Sequence, residues 1–468
     1  MYQKKSHIHF VGIGGIGMSG IATILVKQGY IVSGCDVDLE QKSVRQLQDL
    51  GCIITEGHNS SACTDASINI LVYSSAVKPT HPEIVAAQMR GIPTIGRALM
   101  LTELMRTKYS IAIAGAHGKT TTTSLISHIL IEAKMDPTVI IGGHLKNISS
   151  NAQFGEGDFL VAEADESDRS LLNLQATLAV VTNIDLEHLE TYRDLDDIKD
   201  TFKQFLNNLP FYGKAILCID DPGIQSILPM PHIKIIKYGL DKDKADIWAD
   251  EISLEPAFSI FRVWHGTTCL GTIKLHMAGK HNILNSLAAI ALSLDLEITF
   301  ETIAQALENF KGIERRFSYH GTFQGAEIFD DYGHHPNEIF NTLLVARRRA
   351  KKKLRVIFQP HRFSRTHKLW DQFVNIFVEN PVDELVITDI YPASEAPIEG
   401  ITSDKLVAAI KKLNPAYPIS YMPFDKTLQS FVEHLQTASE KDDLILLLGA
   451  GKVNQIAAKL IKMSENVE

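Results

Sequence analysis

The loop at residues 115–121 has the composition of a phosphate-binding loop. It lies between the apolar segment 110–114, which predicts a β-strand, and a segment with helical spacing. Backbone amides in such a loop bind phosphate oxygens, a lysine reaches the β- and γ-phosphates, and the next threonine binds Mg²⁺. Ile113 stands where the standard motif has glycine, so this loop is a variant. We predict a nucleoside triphosphate site formed by Gly115, Ala116, His117, Gly118, Lys119, Thr120 and Thr121.

Acidic residues follow the next buried strand. The apolar segment Phe159–Glu163 leads into Glu-Ala-Asp-Glu-Ser-Asp at 163–168, and segment 178–182 leads towards His188. Mg²⁺ needs hard oxygen ligands beyond the phosphates, and the carboxyl ends of parallel strands meet at one edge of a sheet. An acidic run is more often a solvated loop, and a single histidine is more often structural. The position after a buried strand favours Glu163 as the first metal ligand.

A second glycine-rich loop, Gly-Ile-Gly-Gly-Ile-Gly at 12–17, follows the predicted strand His7–Val11. Glycines here let the backbone approach a diphosphate that lies on a helix N-terminus. Asp36 follows the predicted strand 30–35, where an acidic ribose ligand is usual. On these residues alone a nicotinamide or flavin dinucleotide is the default ligand, and a glycine turn used only for packing is the alternative. Hydride transfer has no use for a γ-phosphate clamp, so the two loops together favour ATP acting on a nucleotide-bearing substrate.

Short apolar runs alternate with helix-like stretches along the chain, which is typical of βαβ units and parallel sheets. The 468 residues exceed what one core usually holds and predict about three domains. We expect an α/β fold with a Rossmann-like domain at 1–107, a P-loop ATPase-like domain at 108–317 and a Rossmann-like C-terminal domain at 318–468. In the first domain we predict the strands His7–Val11, 30–35 and Ile68–Tyr73 and the helix 98–106. In the second we predict the strands 110–114, Phe159–Glu163 and 178–182 and a β-rich stretch 233–275. In the third we predict the strands 354–359, 385–390 and Leu444–Leu448.

The overall charge argues against nucleic acid as a partner. Basic residues number 46 and acidic residues 55, which gives a net charge of −9. Five scattered cysteines without a C-x-x-C pair indicate neither a disulfide framework nor a zinc site. The apolar segment 8–25 is interrupted by glycines, and it reads as a buried strand and loop instead of a secretion signal. The sequence therefore predicts a cytoplasmic protein without membrane insertion.

Taken together, these motifs resemble the Mur ligases along almost the whole chain. Segment 115–123 is common to that family, whereas 330–336 and 358–366 favour the member that attaches the first amino acid. The resemblance implies ATP-dependent ligation of L-alanine to the lactyl carboxylate of UDP-N-acetylmuramate through an acyl phosphate, by a bacterial monomer or homodimer. The matching segments are GIGGIGMSG (12–20), SSA (74–76), GAHGKTTTT (115–123), EADESD (163–168), HNILN (281–285), RRF (315–317), DDYGHHP (330–336) and FQPHRFSRT (358–366).

The resemblance also implies roles for single residues. The UDP-sugar set is Gly14, Gly15, Ile16, Gly17, Met18, Asp36, Ser74, Ser75, Arg97, Glu166, His361, Arg362 and Arg365. ATP would bind the phosphate loop together with His281, Asn282, Asn285 and Arg316. Mg²⁺, with Mn²⁺ as an alternative, would bind Thr120, Glu163 and His188. The catalytic set is Lys119, His188, His335 and Arg365, and His334 would face the sugar acid.

Some residues depart from the family pattern, and other functions stay open. Ala116 stands where threonine is expected, Leu99 where an acid is common, and Arg169 where a small residue is usual. The rival enzymes are a recycling ligase that attaches a tripeptide to the same sugar nucleotide and an NAD-dependent oxidoreductase. A non-enzymatic rival is an ATP-gated protein that senses a UDP-sugar. The base that deprotonates the amine is either His188 or a histidine such as His335.

Overall fold

The computed structural model describes residues 6–57, 67–74, 76–145, 150–188, 191–393 and 395–465. Their strands form three sheets flanked by helices, which confirms the predicted α/β fold class. The chain divides into two compact units. The first is Met1–Ile252, Ile260–Leu275 and Asn282–Lys311, and the second is Ser253–Ser259, His276–His281 and Gly312–Glu468. The limits of three domains at 1–107, 108–317 and 318–468 stay a prediction.

The first sheet has five parallel strands. The strands are β1 (His7–Val11), β2 (Ile31–Asp36), β3 (Ile53–Glu56), β4 (Ile68–Tyr73) and β5 (Thr94–Gly96), and the helices are α1 (Ile16–Lys27), α2 (Lys42–Asp49), α3 (Pro82–Met89) and α4 (Arg97–Met105). The strand order is β3-β2-β1-β4-β5. The central strand β1 is buried along its whole length, as expected of a parallel strand covered on both faces. Its carboxyl end leads into the first glycine loop and α1.

The second sheet carries the phosphate loop. Its strands are β6 (Tyr109–Ala114), β7 (Thr138–Leu145), β8 (Ser150–Gln153), β9 (Phe159–Glu163), β10 (Leu178–Val181), β11 (Lys214–Cys218), β12 (Lys234–Gly239), β13 (Ile247–Leu254), β14 (Ser259–His265) and β15 (Thr268–Leu275). The helices are α5 (Lys119–Glu132), α6 (Leu195–Asn207), α7 (Pro222–Ser226), α8 (Lys280–Asp295) and α9 (Phe300–Glu308), with a 3-10 turn at Ser170–Asn173. The order is β15-β14-β13-β12-β11-β10-β6-β9-β7-β8. Because β6 lies between β9 and β10, in parallel with both, the phosphate loop emerges between the acidic run and the segment after β10.

Helices of the first sheet pack directly on the second. The Asn151 side-chain amide donates to the Ile16 carbonyl at 2.6 Å and to the Ser19 hydroxyl at 3.2 Å, which fastens α1 to β8. The Thr102 hydroxyl of α4 donates to the Asn173 carbonyl at 2.9 Å. These contacts hold the two nucleotide-binding loops within one compact unit.

The third sheet lies in the second unit. Its strands are β16 (Ser318–Phe323), β17 (Ala326–Asp331), β18 (Leu354–Phe358), β19 (Glu384–Ile387), β20 (Ile419–Tyr421) and β21 (Leu444–Leu448), and its helices are α10 (Pro336–Arg349), α11 (Phe363–Lys368), α12 (Trp370–Glu379), α13 (Ser403–Leu413), α14 (Gln429–Ala438) and α15 (Gln455–Glu465). The order is β16-β17-β21-β18-β19-β20, and β16 is the antiparallel edge strand. The buried strand β21 separates two apolar cores, one on each face of the sheet.

The predicted strand limits agree with the structure to within a few residues. Four segments, including His7–Val11 and Leu444–Leu448, have the predicted limits. The apolar run 385–390 is longer than β19, because pairing with β20 ends at Ile387 and the chain then turns. Among the described residues, no helix is both long enough and apolar enough to cross a membrane.

Gly34 packs closely against β1 and the first glycine loop. A Cβ at this position of β2 would lie 2.7 Å from the Phe10 carbonyl oxygen and 2.8 Å from Ile13 Cδ1. We expect Gly34→Ala to lower the free energy of unfolding by about 1–3 kcal/mol through overpacking, measured as a lower thermal midpoint. The control is Gly20→Ala in α1. Its Cβ would meet Ile140 at 3.4 Å and gain about 1 kcal/mol of helix propensity. Equal midpoints for the two variants would contradict this packing.

Candidate active site

The first glycine loop is closed by Asp36. The Asp36 carboxylate, buried at the end of β2, accepts a hydrogen bond from the Gly14 amide at 2.7 Å. The Ser43 hydroxyl donates to the Gly14 carbonyl at 2.7 Å. Gly15 is the N-cap of α1, so the first amides of that helix face the mouth of the loop, as an anion site requires. In this structure Asp36, predicted as a ribose ligand, orders the loop itself.

The other predicted UDP-sugar residues of the first sheet differ in placement. Ile16 is exposed at the start of α1, whereas Met18 is buried in its packed face. Ser74 lies directly after β4, where its amide donates to the Val11 carbonyl at 3.2 Å, and so borders the glycine loop. Ser75 lies outside the described residues.

Arg97 joins the first glycine loop to the acidic run. A Cβ at Gly17 would lie 2.7 Å from Arg97 Nη1, so the guanidinium lies against the loop backbone. Its Nη2 donates to Asp165 Oδ2 at 2.7 Å. Burial alone would raise the pKa of Asp165, but Arg97 and the Ser167 hydroxyl lower this pKa overall, to about 2. Asp165 is thus ionised at neutral pH, and the Arg97–Asp165 ion pair connects the first glycine loop to the acidic run.

The end of β10 holds the phosphate loop. Gly115 has φ +139°, and a Cβ there would overlap the Thr182 hydroxyl, so only glycine fits. The Thr182 hydroxyl and the Asn183 side-chain amide donate to the His117 carbonyl at 2.6 and 2.9 Å. The His117 amide donates to Asn183 Oδ1 at 2.8 Å, and its ring Nε2 lies 3.2 Å from Asp185 Oδ2. The loop is therefore ordered by the neighbouring strand before any phosphate binds.

Asn282 and Asn285 lie beside the phosphate loop, as the ATP prediction requires. A Cβ at Gly118, which has φ +81°, would lie 2.5 Å from Asn285 Oδ1. The Thr122 hydroxyl in α5 donates to the same oxygen at 3.3 Å. Asn282 lies one turn earlier on α8 and is also buried. The structure thus brings Asn285 to the first turn of α5, and the Asn285 side-chain amide donates to Asn282 Oδ1 at 3.5 Å.

The side chain of Lys119 is held by its own loop and by Glu166. Its Nζ donates to the carbonyls of Gly115 and Ala116 at 2.6 and 3.2 Å and to Glu166 Oε1 at 2.7 Å. Burial acts to lower the pKa of Lys119, but the Glu166 carboxylate outweighs it and raises this pKa above the ordinary value. The lysine is therefore a cation in contact with Glu166, a residue that the sequence assigned to the UDP-sugar.

The same carboxylate forms part of a set suited to a divalent cation. His188 Nε2 lies 3.3 Å from Glu166 Oε1 and 3.3 Å from Glu187 Oε2, and one ligand atom from each residue lies within 4.8 Å of the others. The second oxygen, Glu166 Oε2, is buried without a hydrogen-bond partner among the described residues. The two carboxylates are the type of ligand that Mg²⁺ and Mn²⁺ prefer. Glu163, the first choice from sequence, accepts a hydrogen bond from the Gly142 amide at 2.7 Å, and Thr120 lies in the first turn of α5.

In the second unit, the predicted histidines and arginines converge where β17 and β18 end on either side of β21. The rings of His334 and His361 lie 5.8 Å apart, and His361 stacks on Tyr391 at 5.5 Å. Arg365 Nη1 lies 3.3 Å from His361 Nδ1. Arg362 has φ +71° and lies 3.9 Å from a carboxylate oxygen of Glu395. Ligands of α/β folds bind at such an edge.

Glu338 orders the loop that carries the two adjacent histidines. Its Oε2 accepts the backbone amides of His334 and His335 at 3.0 and 3.3 Å, and the His335 side chain accepts the Asn337 amide at 3.4 Å. His335 is thereby the N-cap of α10 within a capping box. Arg316 Nη1 lies 3.7 Å from Glu338 Oε1. His335, which was predicted to be catalytic, thus already accepts a hydrogen bond that caps α10. If His335 were the base, its ring would have to accept the proton of the amine as well.

Burial sets the protonation of this cluster. It lowers the pKa of His334 to about 3, and burial and then Arg365 lower the pKa of His361 to about 3. Burial and then Arg316 lower the pKa of His281 to about 4. Burial raises the pKa of Asp331 to about 6, although its oxygens accept the Phe317 and Gly333 amides at 2.8 and 2.7 Å. These three histidines are neutral at pH 7.

Several residues of these clusters were missed from the sequence. Glu187 had a signal, because it directly precedes His188 after a buried strand. Asp165 lies in the acidic run but was not singled out from it. Glu338 and Tyr391 carried no signal, since their contacts depend on how separate loops meet. The partners of Glu166 follow from the order β9-β6-β10, which the sequence does not give.

Three family models match the chain, and each contains most of the strands of one sheet. The Mur ligase family, catalytic domain, matches residues 7–109. The Mur ligase middle domain matches residues 113–293. The Mur ligase, glutamate ligase domain, matches residues 315–451.

Curated relatives match along nearly their full length. A UDP-N-acetylmuramate–L-alanine ligase from Syntrophus aciditrophicus is 45% identical over all of this chain and 95% of its own. One of the same name from Syntrophotalea carbinolica is 48% identical over 98% of both chains. The crystal structure of a UDP-N-acetylmuramate-alanine ligase from Thermotoga maritima has a TM-score of 0.81 at 26% identity, over 99% of this chain and 100% of its own. A murein peptide ligase from Psychrobacter arcticus, at 24% identity, has a TM-score of 0.72 over 98% of both chains and shows the fold alone.

The buried histidines of the second unit give a testable titration. We expect the imidazoles of His334 and His361 to stay neutral from pH 8 to pH 5, because burial lowers each pKa from 6.5 to about 3. Below pH 6.5 both imidazoles take up a proton in the unfolded chain but not in the folded chain. The free energy of unfolding therefore falls as the pH drops from 6.5 towards the folded-state pKa of about 3. NMR spectra of histidine-labelled protein, assigned with His334→Asn and His361→Asn, would follow both rings. Titration of either ring near pH 6.5 would contradict its burial.

Proposed function

This chain belongs to the Mur ligase family, and we propose that it joins L-alanine to the lactyl carboxylate of UDP-N-acetylmuramate. The products are UDP-N-acetylmuramoyl-L-alanine, ADP and phosphate, and the reaction is a step of peptidoglycan precursor synthesis. The observation that carries the proposal is the presence in one unit of two glycine-rich loops that both contact the acidic run, the first through the Arg97–Asp165 ion pair and the second through Lys119 and Glu166. Eight curated relatives, 45–48% identical, share the name of this activity.

The first step is transfer of the γ-phosphoryl group of ATP to the substrate carboxylate. A carboxylate oxygen attacks the γ-phosphorus, the bond to ADP breaks, and an acyl phosphate forms. Little covalent chemistry is asked of the protein, so it acts by positioning and by charge neutralisation. Lys119 supports this role, since it is charged and lies in the loop at the N-terminus of α5. On binding, phosphate oxygens would take the place of Glu166 at Nζ.

Magnesium is the metal we propose, with manganese as an alternative. Thr120, Glu163 and His188 would hold it, and Glu166 and Glu187 lie at His188 as further carboxylates. When bound, a divalent cation neutralises phosphate charge. The buried Glu166 Oε2, which has no hydrogen-bond partner within the described part of the chain, supports a cation at this position.

In the second step, the amine of L-alanine attacks the acyl carbonyl and phosphate leaves. The amine must be neutral, so a base has to take its proton. With pKa values of about 3, His334 and His361 are poor proton acceptors and serve better as neutral hydrogen-bond partners. His335 is one candidate base, and His188 is the other in a step in which its ring does not ligate the metal. Arg362 and Arg365 suit binding of a carboxylate, because guanidinium groups bind carboxylates with two parallel hydrogen bonds.

We also propose a cytoplasmic protein that is a monomer or a homodimer and has no nucleic-acid partner. Four described cysteines, Cys35, Cys52, Cys218 and Cys269, are free thiols, which fits a reducing compartment. The oxidoreductase alternative is not favoured, because it gives no role to Lys119. The tripeptide-recycling alternative is not favoured, because the full-length curated relatives named above are alanine ligases.

The test is phosphate release from ATP with Mg²⁺ and UDP-N-acetylmuramate, with amino acids added one at a time and the product identified by mass spectrometry. We expect release that depends on L-alanine and a product heavier by one alanyl residue. A parallel reaction replaces the amino acid with the tripeptide L-Ala-γ-D-Glu-meso-diaminopimelate. A recycling ligase would release phosphate only in that reaction. Release that does not depend on the sugar nucleotide would contradict the proposed substrate.

A further inference from the structure

We propose that Arg169 is a positioning residue for the magnesium ligands. Its guanidinium fastens the loop that carries Glu166 to the loop that carries His188. The inference rests on the proposed function, because it assigns a role within the same nucleotide site. Arg169 is also one of the residues at which this chain departs from the family pattern.

Arg169 is held in place by four partners. It directly follows the acidic run and has φ +60°, a left-handed conformation that is uncommon outside glycine. Its Nη2 donates to Asp197 Oδ2 at 2.6 Å and to the Thr191 carbonyl at 3.4 Å, and its Nη1 donates to the Thr201 hydroxyl at 3.4 Å. The guanidinium carbon lies 4.7 Å from the centre of the Tyr192 ring, a cation–π distance.

The loop that carries Glu166 is held through the backbone carbonyl of Glu166. The Tyr192 hydroxyl donates to the Glu166 carbonyl at 2.5 Å, and the Arg169 amide donates to the same oxygen at 3.1 Å. The Thr191 hydroxyl donates to the Ser167 carbonyl at 2.6 Å. Burial and then Glu166 raise the pKa of Tyr192 far above its ordinary value, so its hydroxyl remains a donor. The guanidinium, by packing on Tyr192, thus controls where the Glu166 backbone lies.

The loop that carries His188 is held through the backbone carbonyl of His188. His188 has φ +53°, and its carbonyl accepts the amides of Thr191 and Tyr192 at 2.8 and 3.0 Å. The histidine is therefore rigidly linked to the residues that Arg169 contacts. Moving Tyr192 would move His188 and Glu166 relative to each other, and their side chains lie 3.3 Å apart.

Asp197 anchors this arrangement to α6. The helix begins beyond Asp194, whose carboxylate accepts the Asp197 amide at 2.9 Å, a regular N-cap. Asp197 is buried, and its carboxylate also accepts the Arg193 amide at 3.1 Å. That backbone bond and then Arg169 lower the pKa of Asp197, so the anchor stays ionised at neutral pH. A cation fastened to a helix by a buried carboxylate is well suited to hold a loop.

The test is nucleotide binding by isothermal titration calorimetry, without turnover. ADP affinity is measured in EDTA and again over a series of Mg²⁺ concentrations. Mg²⁺ is expected to increase the affinity for ADP. We expect Arg169→Ala to raise about tenfold the Mg²⁺ concentration at which half of this increase is reached, since residues that orient metal ligands contribute about 10–100-fold in metal affinity. ADP affinity in EDTA should stay within twofold of wild type. Arg169→Lys, which keeps the charge but not the planar group, should restore part of the Mg²⁺ response.

Arg193→Ala is the matched control. Its guanidinium Nε lies 3.6 Å from the same Asp197 oxygen, but the side chain is 83% exposed. If Arg169 merely stabilised α6 through Asp197, both alanine variants would change the Mg²⁺ response alike, and the proposal would be overturned. Tyr192→Phe keeps the ring under Arg169 but removes the hydroxyl that donates to the Glu166 carbonyl, and it should raise the Mg²⁺ requirement even if Arg169→Ala does not fold.

An unchanged Mg²⁺ response in Arg169→Ala, or in Tyr192→Phe if the arginine variant does not fold, overturns the inference. So does a loss of ADP affinity in EDTA as large as the loss in Mg²⁺, because that indicates general disruption of the site. Failure of the proposed function is seen separately, as an absence of alanine-dependent product from the wild-type protein.

Discussion

The ion pair between Lys119 and Glu166 is the contact on which the nucleotide site depends. Both side chains are largely buried, and a buried charge without a counter-charge is strongly destabilising. Each charge is therefore balanced by the other. The loop around Lys119 and the acidic run around Glu166 must be built to bring the two groups together.

The order of three strands makes the pairing possible. With β6 between β9 and β10, the phosphate loop, the acidic run and the segment ending at His188 leave the sheet side by side. Around the ion pair, the first glycine loop is joined by Arg97 to Asp165, and the His188 loop is joined by Tyr192 to Glu166. Both glycine-rich loops thus contact the acidic run at 163–168.

Much of this could be predicted from the sequence, because the strand–loop–helix pattern, the glycine spacing and the acid after a buried strand are local features. The two glycine-rich loops that follow buried strands, and the α/β fold class, could be predicted from such features. What could not be predicted depends on contacts between distant segments. Glu166 follows the same strand as Glu163, and only the packed sheet places it on Lys119. Likewise, the neutral state of His334 and His361 comes from burial, which their motifs do not reveal.

The central claim is that Glu166 occupies Lys119 until a phosphate replaces it. The most direct measurement is the affinity of Glu166→Gln for ADP in EDTA, compared with wild type by calorimetry. If a carboxylate competes for the lysine, its neutral isostere should bind ADP more tightly, by about tenfold or about 1.4 kcal/mol. Unchanged or weaker binding, in a variant with wild-type thermal stability, would contradict the claim and leave Glu166 as a ligand-binding residue only.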